Sequence, residues 1–460
     1  MNPAMEVAKP AKRRPVNRKA GSRLRITPSG AWRKRARARR IPGQNGRSAT
    51  HRFRAHNRVA VPAAPRALRG QWHRKPAVAG NRRGRRGGRI QCKRMVSNMN
   101  KVKSRAASAA FAAAIAAAGM TGCGSDTELP AVQSMTVFGD SLSDVGTYAG
   151  ATNDPNNLGK FTVNPGNVWV ENIAAGYGLK LTPNRRLTLD KEASGVPTAG
   201  VGTATTIGGN GYAEGGARIA QYPMQSGVGN NAIVSSVSDQ VGRYLAANAN
   251  RVPAGQLIVI GGGGNDTYAQ FADLCWHYDN NGLGVGKTTI AIATDAVATA
   301  ARAQVDNVKR LRAAGAQAVL VYQAGDWSSN PFARKYLSDV YQAVGCFVPV
   351  PASQITQWTQ QFNQILADGI KGLAGVALFD AGAPLKAAIA DPAAYGFANV
   401  TAPGCNNTVP TTSAAFCTRA TLVEPNADQT YLWSDAFHPT PHGHKLISDS
   451  ALQALKTIVQ

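Results

Sequence analysis

The sequence holds seven histidines, and only four of them follow residue 98: His277, His438, His442 and His444. Three lie in the run Trp433-Ser434-Asp435-Ala436-Phe437-His438-Pro439-Thr440-Pro441-His442-Gly443-His444, where Asp435 stands three residues before His438. One turn at that spacing brings a carboxylate to an imidazole. The carboxylate fixes the tautomer and stabilises the imidazolium while the other ring nitrogen takes a proton from a hydroxyl. A suitable hydroxyl stands far upstream in Phe138-Gly139-Asp140-Ser141-Leu142-Ser143-Asp144, where Ser141 follows a short apolar run and a glycine. A serine so placed projects from a tight turn with a helix N-terminus behind it. The competing role is an ordinary helix cap, for which Ser and Asp are the commonest residues.

Two glycine turns could complete the chemistry. Ile260-Gly261-Gly262-Gly263-Gly264-Asn265-Asp266 lacks the Lys-Ser/Thr pair of a phosphate loop. Its glycines instead let backbone approach a substrate closely and free Asn265 to donate a side-chain hydrogen bond. Gly211-Tyr212-Ala213-Glu214-Gly215-Gly216-Ala217-Arg218 offers a backbone N–H to the same developing oxyanion. His442 and His444 read as residues flanking a helix start; a metal pair is the alternative, with no Cys or Asp cluster beside it.

The elements that must position these groups show as apolar runs. Ser134 to Phe138, Gln256 to Ile260, Ala318 to Tyr322 and Val376 to Phe379 read as buried strands. Ser235 to Ala247, Thr289 to Ala314, Ser353 to Leu373 and Pro441 to Val459 return apolar residues at three and four and read as helices. Strands alternating with helices imply a parallel sheet covered on both faces, with Ser141 and Asn265 at strand carboxyl ends, where reactive groups gather. Gly146 to about Gly229 and Ala381 to Asp428 lack a strong period and read as long loops or site walls. Phe271, Trp276, Tyr278, Trp327 and Trp358 are candidates to line an acyl pocket or a sugar platform, with core packing as their competing role.

Charge divides the chain. Residues 1–98 hold 29 of the 52 basic residues and one of the 25 acidic ones, which leaves 23 basic and 24 acidic residues after them. The net charge of +27 therefore belongs to a disordered basic tail too poor in apolar residues to fold. Everything behind it is close to neutral, so no nucleic-acid partner is expected for that domain; an arm for polyanions is the alternative use of the tail. Residues 99–122 read as a signal peptide, a short positive stretch followed by the uncharged run Ala106 to Met120. This places the expected start of translation at Met99 or Met95, with the tail absent from the mature protein. Thr121-Gly122-Cys123 resembles a lipoprotein cleavage site, so Cys123 is a candidate for lipidation and for anchoring to a membrane surface, against plain cleavage nearby. Residues 123–133 then form a linker and 134–460 the folded domain. Export also suits Cys275, Cys346, Cys405 and Cys417, which have no zinc-like spacing. Cys405 with Cys417 closes a short loop, and Cys275 with Cys346 remains; four free buried thiols are the alternative.

Taken together, Gly139-Asp140-Ser141-Leu142-Ser143, the glycine turn, Gly263-Gly264-Asn265-Asp266 and Asp435-Ala436-Phe437-His438-Pro439 follow the order of the GDSL lipase/esterase family, the SGNH hydrolases, which nearly all of 134–460 resembles. The wider sequence looks like the secreted bacterial phospholipase, lecithinase and haemolysin branch. The resemblance implies a flavodoxin-like three-layer α/β/α sandwich with a mostly parallel central sheet. It implies Ser141 as nucleophile, His438 as base and Asp435 as its partner, with an oxyanion hole from Ser141 N–H, Gly216 N–H and the Asn265 amide. It implies hydrolysis of carboxylic esters, without cofactor or metal, through an acyl-enzyme. The ester would be a lipid, an acylated small molecule or a polysaccharide. An acetyl esterase acting on polysaccharide, a lipid acyltransferase and an inactive cell-surface binding protein are the alternatives. One departure stands in the second motif, where Gly211 separates Asn210 from Tyr212, so that both Gly215 and Gly216 compete as the donor.

Overall fold

Four apolar runs form one parallel sheet. The structure is a computed structural model that describes residues 131–152, 157–191, 197–222, 233–406 and 413–458. The basic tail 1–98, the leader 99–122, Cys123 and most of the linker 123–133 lie outside the described residues. In chain order the elements are β1 (Ser134–Phe138), α1 (Trp169–Gly176), β2 (Arg185–Lys191), β3 (Pro197–Thr206), α2 (Val237–Ala247), β4 (Gln256–Gly261), α3 (Gly264–Trp276) and α4 (Ile290–Ala313). There follow β5 (Ala318–Tyr322), α5 (Pro331–Tyr336), α6 (Asp339–Gly345), α7 (Ala352–Ile370), β6 (Val376–Phe379), α8 (Ala383–Ala390), β7 (Asn399–Pro403), α9 (Ala427–Thr430), β8 (Tyr431–Trp433) and α10 (Pro441–Leu455).

The sheet order is β1-β4-β5-β6 and every pairing is parallel, with Val137 opposite Val259, Val259 opposite Leu320 and Leu320 opposite Ala377. Because side chains alternate along a strand, this register sorts the sheet into two apolar faces. Phe138, Ile258, Ile260, Val319 and Val321 pack with α2, α3, α4 and α7. Met135, Val137, Leu257, Val259, Leu320 and Phe379 pack with α1 and α10. Each fully buried Val, Leu or Ile in these faces contributes about 1.5–3 kcal/mol over an exposed one, so apolar runs without polar alternation are the signature of this middle layer. The architecture is the α/β/α sandwich with a parallel centre.

The caps explain where helices begin. Thr289 accepts from Ile292 N–H before α4, and Thr440 accepts from Gly443 N–H before α10, where Pro441 takes the first helical position. The described residues within 146–229 do not form one long loop. They contain α1 and the antiparallel β2–β3 hairpin, whose Leu187 and Leu189 are buried while Arg186 and Thr188 are exposed. That period of two is present in the sequence, but over too few residues to stand out. Beyond the hairpin, Val137 N–H donates to the Asn210 carbonyl (3.1 Å) and Tyr212 N–H to the Val137 carbonyl (2.7 Å). Residues 210–212 thus cover the outer edge of β1 and carry the glycine turn to its carboxyl end. Cys275 is bonded to Cys346 and Cys405 to Cys417. Among the described residues no helix is long and apolar enough to cross a membrane.

Candidate active site

Ser141 leaves the end of β1 on a single 3-10 turn, Ser141–Ser143, capped by Asp140, which accepts from Leu142 N–H. Asp140 is therefore the cap, and the Ser141 hydroxyl is left for other work. The turn needs glycine before it: a Cβ on Gly139 would fall on the Tyr322 hydroxyl. Gln240 of α2, fully buried, clamps the same glycine, accepting from its N–H and donating to its carbonyl, each at 2.9 Å.

His438 reaches this turn from the loop between β8 and α10. Its Nδ1 lies 2.8 Å from Asp435 Oδ2 and 2.9 Å from Oδ1, and its Nε2 lies 2.8 Å from Ser141 Oγ. A carboxylate only accepts, so Nδ1 carries the proton and Nε2 is free to accept the serine proton. Asp435 is almost fully buried, and its oxygens also accept from the N–H groups of Ala414 (2.6 Å), Phe437 (2.8 Å) and His438 (2.7 Å). Burial acts to raise this carboxyl. The imidazole of His438, its hydrogen bond, and the amides of Ala414 and Phe437 outweigh that and hold it below the usual carboxylate range. The ring of Phe161 packs on His438 with centroids 4.9 Å apart.

The glycine turn separates its two candidate donors. Gly215 N–H donates to Asp144 Oδ2 (2.8 Å), whereas Gly216, held at φ 84° where a side chain is disfavoured, lines the cleft beside Ser141. Glu214, buried between Arg185 (3.0 Å) and Arg243 (2.8 Å), fixes the start of this turn. Asn265, in the first turn of α3, donates from Nδ2 to the Ala217 carbonyl (2.8 Å) and also lines the cleft, so one amide hydrogen is committed to the turn and the other is left for a ligand. The cleft itself, about 160 Å³, continues from these groups along Phe161, Tyr268, Trp327, Leu385, Trp433 and Phe437.

A family model for GDSL-like lipase/acylhydrolase matches residues 135–451. The chain belongs to this family. Membership makes the protein an acyl hydrolase in the general sense, one that acts on esters. No curated protein matches the chain.

Within this GDSL hydrolase, several residues given no role in the sequence analysis shape the site. Ser143 is wholly buried; it accepts from Trp169 Nε1 and donates to the Tyr322 hydroxyl, each at 3.1 Å. Asp144 accepts from Gly146, Thr147 and Gly215 N–H, linking the serine turn to the glycine turn. Of the five aromatic candidates only Trp327 lines the cleft. Phe271 and Trp358 lie in the core, and Trp276 packs on Phe271 and Tyr336. The cleft aromatics that sequence reasoning missed, Phe161, Tyr268, Trp433 and Phe437, carry no local pattern that sets them apart from core residues.

His442 and His444 separate. His442 Nδ1 meets the Gln429 carbonyl at 2.7 Å, while His444 is buried, accepting from Trp169 N–H on Nδ1 and facing the Phe161 carbonyl with Nε2. Among the described residues no His, Cys, Asp and Glu group has the arrangement of a metal site. Burial, aided by the nearby charges of His438 and Lys160, pushes the His444 pKa from 6.5 down to about 3. The unfolded chain therefore takes this proton first. Its contribution to stability is full above pH 6.5 and is lost toward pH 3, at up to about 1.4 kcal/mol per pH unit. Burial raises Asp140 to about 6 and Asp144 to about 7, with the opposite sign. The difference between wild type and His444→Gln isolates the histidine: urea midpoints measured from pH 7 to pH 4 should fall less in the variant.

Proposed function

We propose that this GDSL hydrolase is an exported serine esterase of the lipase or phospholipase type, working through an acyl-enzyme. The observation that carries the reading is the unbroken file from Asp435 through His438 to Ser141, with 2.8 Å at each step, opening on an apolar cleft. Ser141 Oγ bonds to the ester carbonyl carbon as its proton passes to His438 Nε2. The oxyanion so formed meets the N–H groups of Ser141 and Gly216 and the second hydrogen of the Asn265 amide. Collapse breaks the bond to the alkoxy oxygen, and Nε2 returns the proton to the departing alcohol. Water then gives a proton to Nε2 and attacks the acyl carbon; Ser141 Oγ recovers that proton as the acid leaves.

Asn265→Ala should lower kcat for a p-nitrophenyl ester roughly 10²–10³-fold. KM should move far less, because the amide meets charge that exists only at the transition state. Wild-type turnover in this variant would remove Asn265 from the mechanism. Export is supported by the leader-like segment 99–122 and by two disulfides, which persist in oxidising compartments. A mature chain beginning at or near Cys123, lipidated there and so held at a membrane surface, is the form the intact mass of the native protein should reveal; one retaining Arg82–Arg89 would count against it.

A second reading, removal of acyl groups from polysaccharide, is favoured by a polar groove of about 700 Å³ that shares Gln323, Asp326 and Lys386 with the cleft and continues along Gln357, Gln360 and Gln364 of α7. Amide side chains both donate and accept, as sugar hydroxyls require. Acetyl to palmitoyl esters assayed beside acetyl-xylan separate the two: rising activity with chain length supports a lipid, and preference for the polymer supports the glycan.

A further inference from the structure

We propose that the segment Ala414–Cys417, fixed by the Cys405–Cys417 disulfide, positions the carboxylate of Asp435 for catalysis; this rests on the reading of Asp435 as the partner of His438. Asp435 Oδ2 is shared between His438 Nδ1 (2.8 Å) and the backbone N–H of Ala414 (2.6 Å). Oδ1 accepts from Phe437 and His438 N–H, which belong to the same turn as Asp435 itself. Among the described residues Ala414 is the donor that reaches this carboxylate from elsewhere in the chain.

Ala414 opens a single 3-10 turn, Ala414–Phe416, that ends on Cys417. Cys417 is bonded to Cys405, and Cys405 N–H donates to the carbonyl of Ser434 (3.0 Å), the residue before Asp435. The disulfide thus closes a ring of contacts that begins at the main chain of Ser434 and returns at the carboxylate of Asp435. Asn164 secures the far side: its backbone N–H reaches the Cys417 carbonyl at 2.9 Å, and its side-chain amide reaches the carbonyls of Cys417 (3.1 Å) and Ala414 (3.3 Å). Cys405, Cys417 and Asn164 are all buried. A desolvated carboxylate stays ionised and oriented only through its donors. Without the Ala414 N–H it can turn away from Nδ1 or take a proton, and in either state it no longer stabilises the imidazolium. The loss falls on the chemical step and not on substrate binding.

Ala414→Pro tests this directly. Ala414 is the first residue of its turn and Ser413 before it is extended (φ −96°, ψ 138°), so the backbone suits proline, which removes the N–H and sets its ring Cδ where Asp435 Oδ2 now lies 2.6 Å from the nitrogen, so that the carboxylate must move. The expected result is a fall in kcat of roughly 10- to 100-fold, the range for losing one hydrogen bond to a charged group, with KM little changed. The low-field proton resonance of the His438–Asp435 hydrogen bond should broaden or vanish. The paired variant Cys405→Ser/Cys417→Ser should do the same. Cys275→Ser/Cys346→Ser, which opens the disulfide between α3 and the end of α6, should lower the thermal midpoint yet keep kcat and the resonance. Wild-type kcat with an unchanged resonance, in a folded Ala414→Pro or a folded Cys405/Cys417 variant, overturns the proposal. If Ala414→Pro does not fold, the paired serine variant decides alone. Inactive Asp435→Asn beside fully active Ala414→Pro would sink only the positioning role, whereas active Asp435→Asn would sink the triad reading beneath it.

Discussion

Ser141→Ala should reduce ester hydrolysis to what substrate binding and the oxyanion donors alone can supply, a loss on the order of 10⁶ in kcat. The size of the effect follows from the geometry: Ser141 Oγ is the hydroxyl that meets His438 Nε2, at 2.8 Å. Ser143 is no substitute, since its hydroxyl is buried between Trp169 and Tyr322. Ser143→Ala should leave catalysis nearly intact but lower unfolding free energy by about 1–3 kcal/mol, because Trp169 Nε1 and the Tyr322 hydroxyl lose a buried partner. A fluorophosphonate probe should label wild type and Ser143→Ala but not Ser141→Ala. Turnover retained by Ser141→Ala and lost by Ser143→Ala would mean that the other serine is the nucleophile, and absent labelling of wild type would favour a binding protein over an enzyme.

Asp435→Asn should cost roughly 10⁴ in kcat while leaving the fold in place. The carboxylate accepts from three backbone N–H groups as well as from Nδ1. An asparagine keeps one oxygen for those donors and presents an NH₂ group to the rest. Where that group faces the imidazole, Nδ1 must accept, the proton moves to Nε2, and Ser141 loses its base. Stability should change far less than activity, since the neutral amide no longer carries the desolvation that works against a buried carboxylate. Calorimetry beside kinetics checks both parts; a variant that unfolds early and loses activity in proportion would make Asp435 structural.

The middle layer and the groups that meet in the candidate site are legible for one reason, that their signals are local. Four runs such as Gln256-Leu257-Ile258-Val259-Ile260 have apolar residues on both sides of the strand, which only a doubly covered sheet accommodates. Ser141 and His438, 297 residues apart, were legible because the histidines are few and each residue sits in a short motif. Gln240 and Asp144 were not. Gln240 occupies a polar position of an amphipathic helix, and nothing nearby says that its amide faces Gly139 rather than water. Asp144 resembles any turn aspartate until the glycine turn arrives from more than 70 residues away to meet it. Phe161 and Tyr268 fail for the same reason, because cleft aromatics and core aromatics share one local pattern and differ only in what the tertiary fold leaves open.

The separation of the proposed triad along the chain also sets a schedule. A polypeptide is made from its N-terminus onward, so β1 with Ser141, the glycine turn and Asn265 all exist before residues 435–438 are synthesised. Until that loop emerges and docks at the end of β1, the nascent protein holds a serine without a base. On the proposed mechanism, hydrolytic power arrives as one of the latest events of biosynthesis, and any ester the nascent chain meets before then finds it inert.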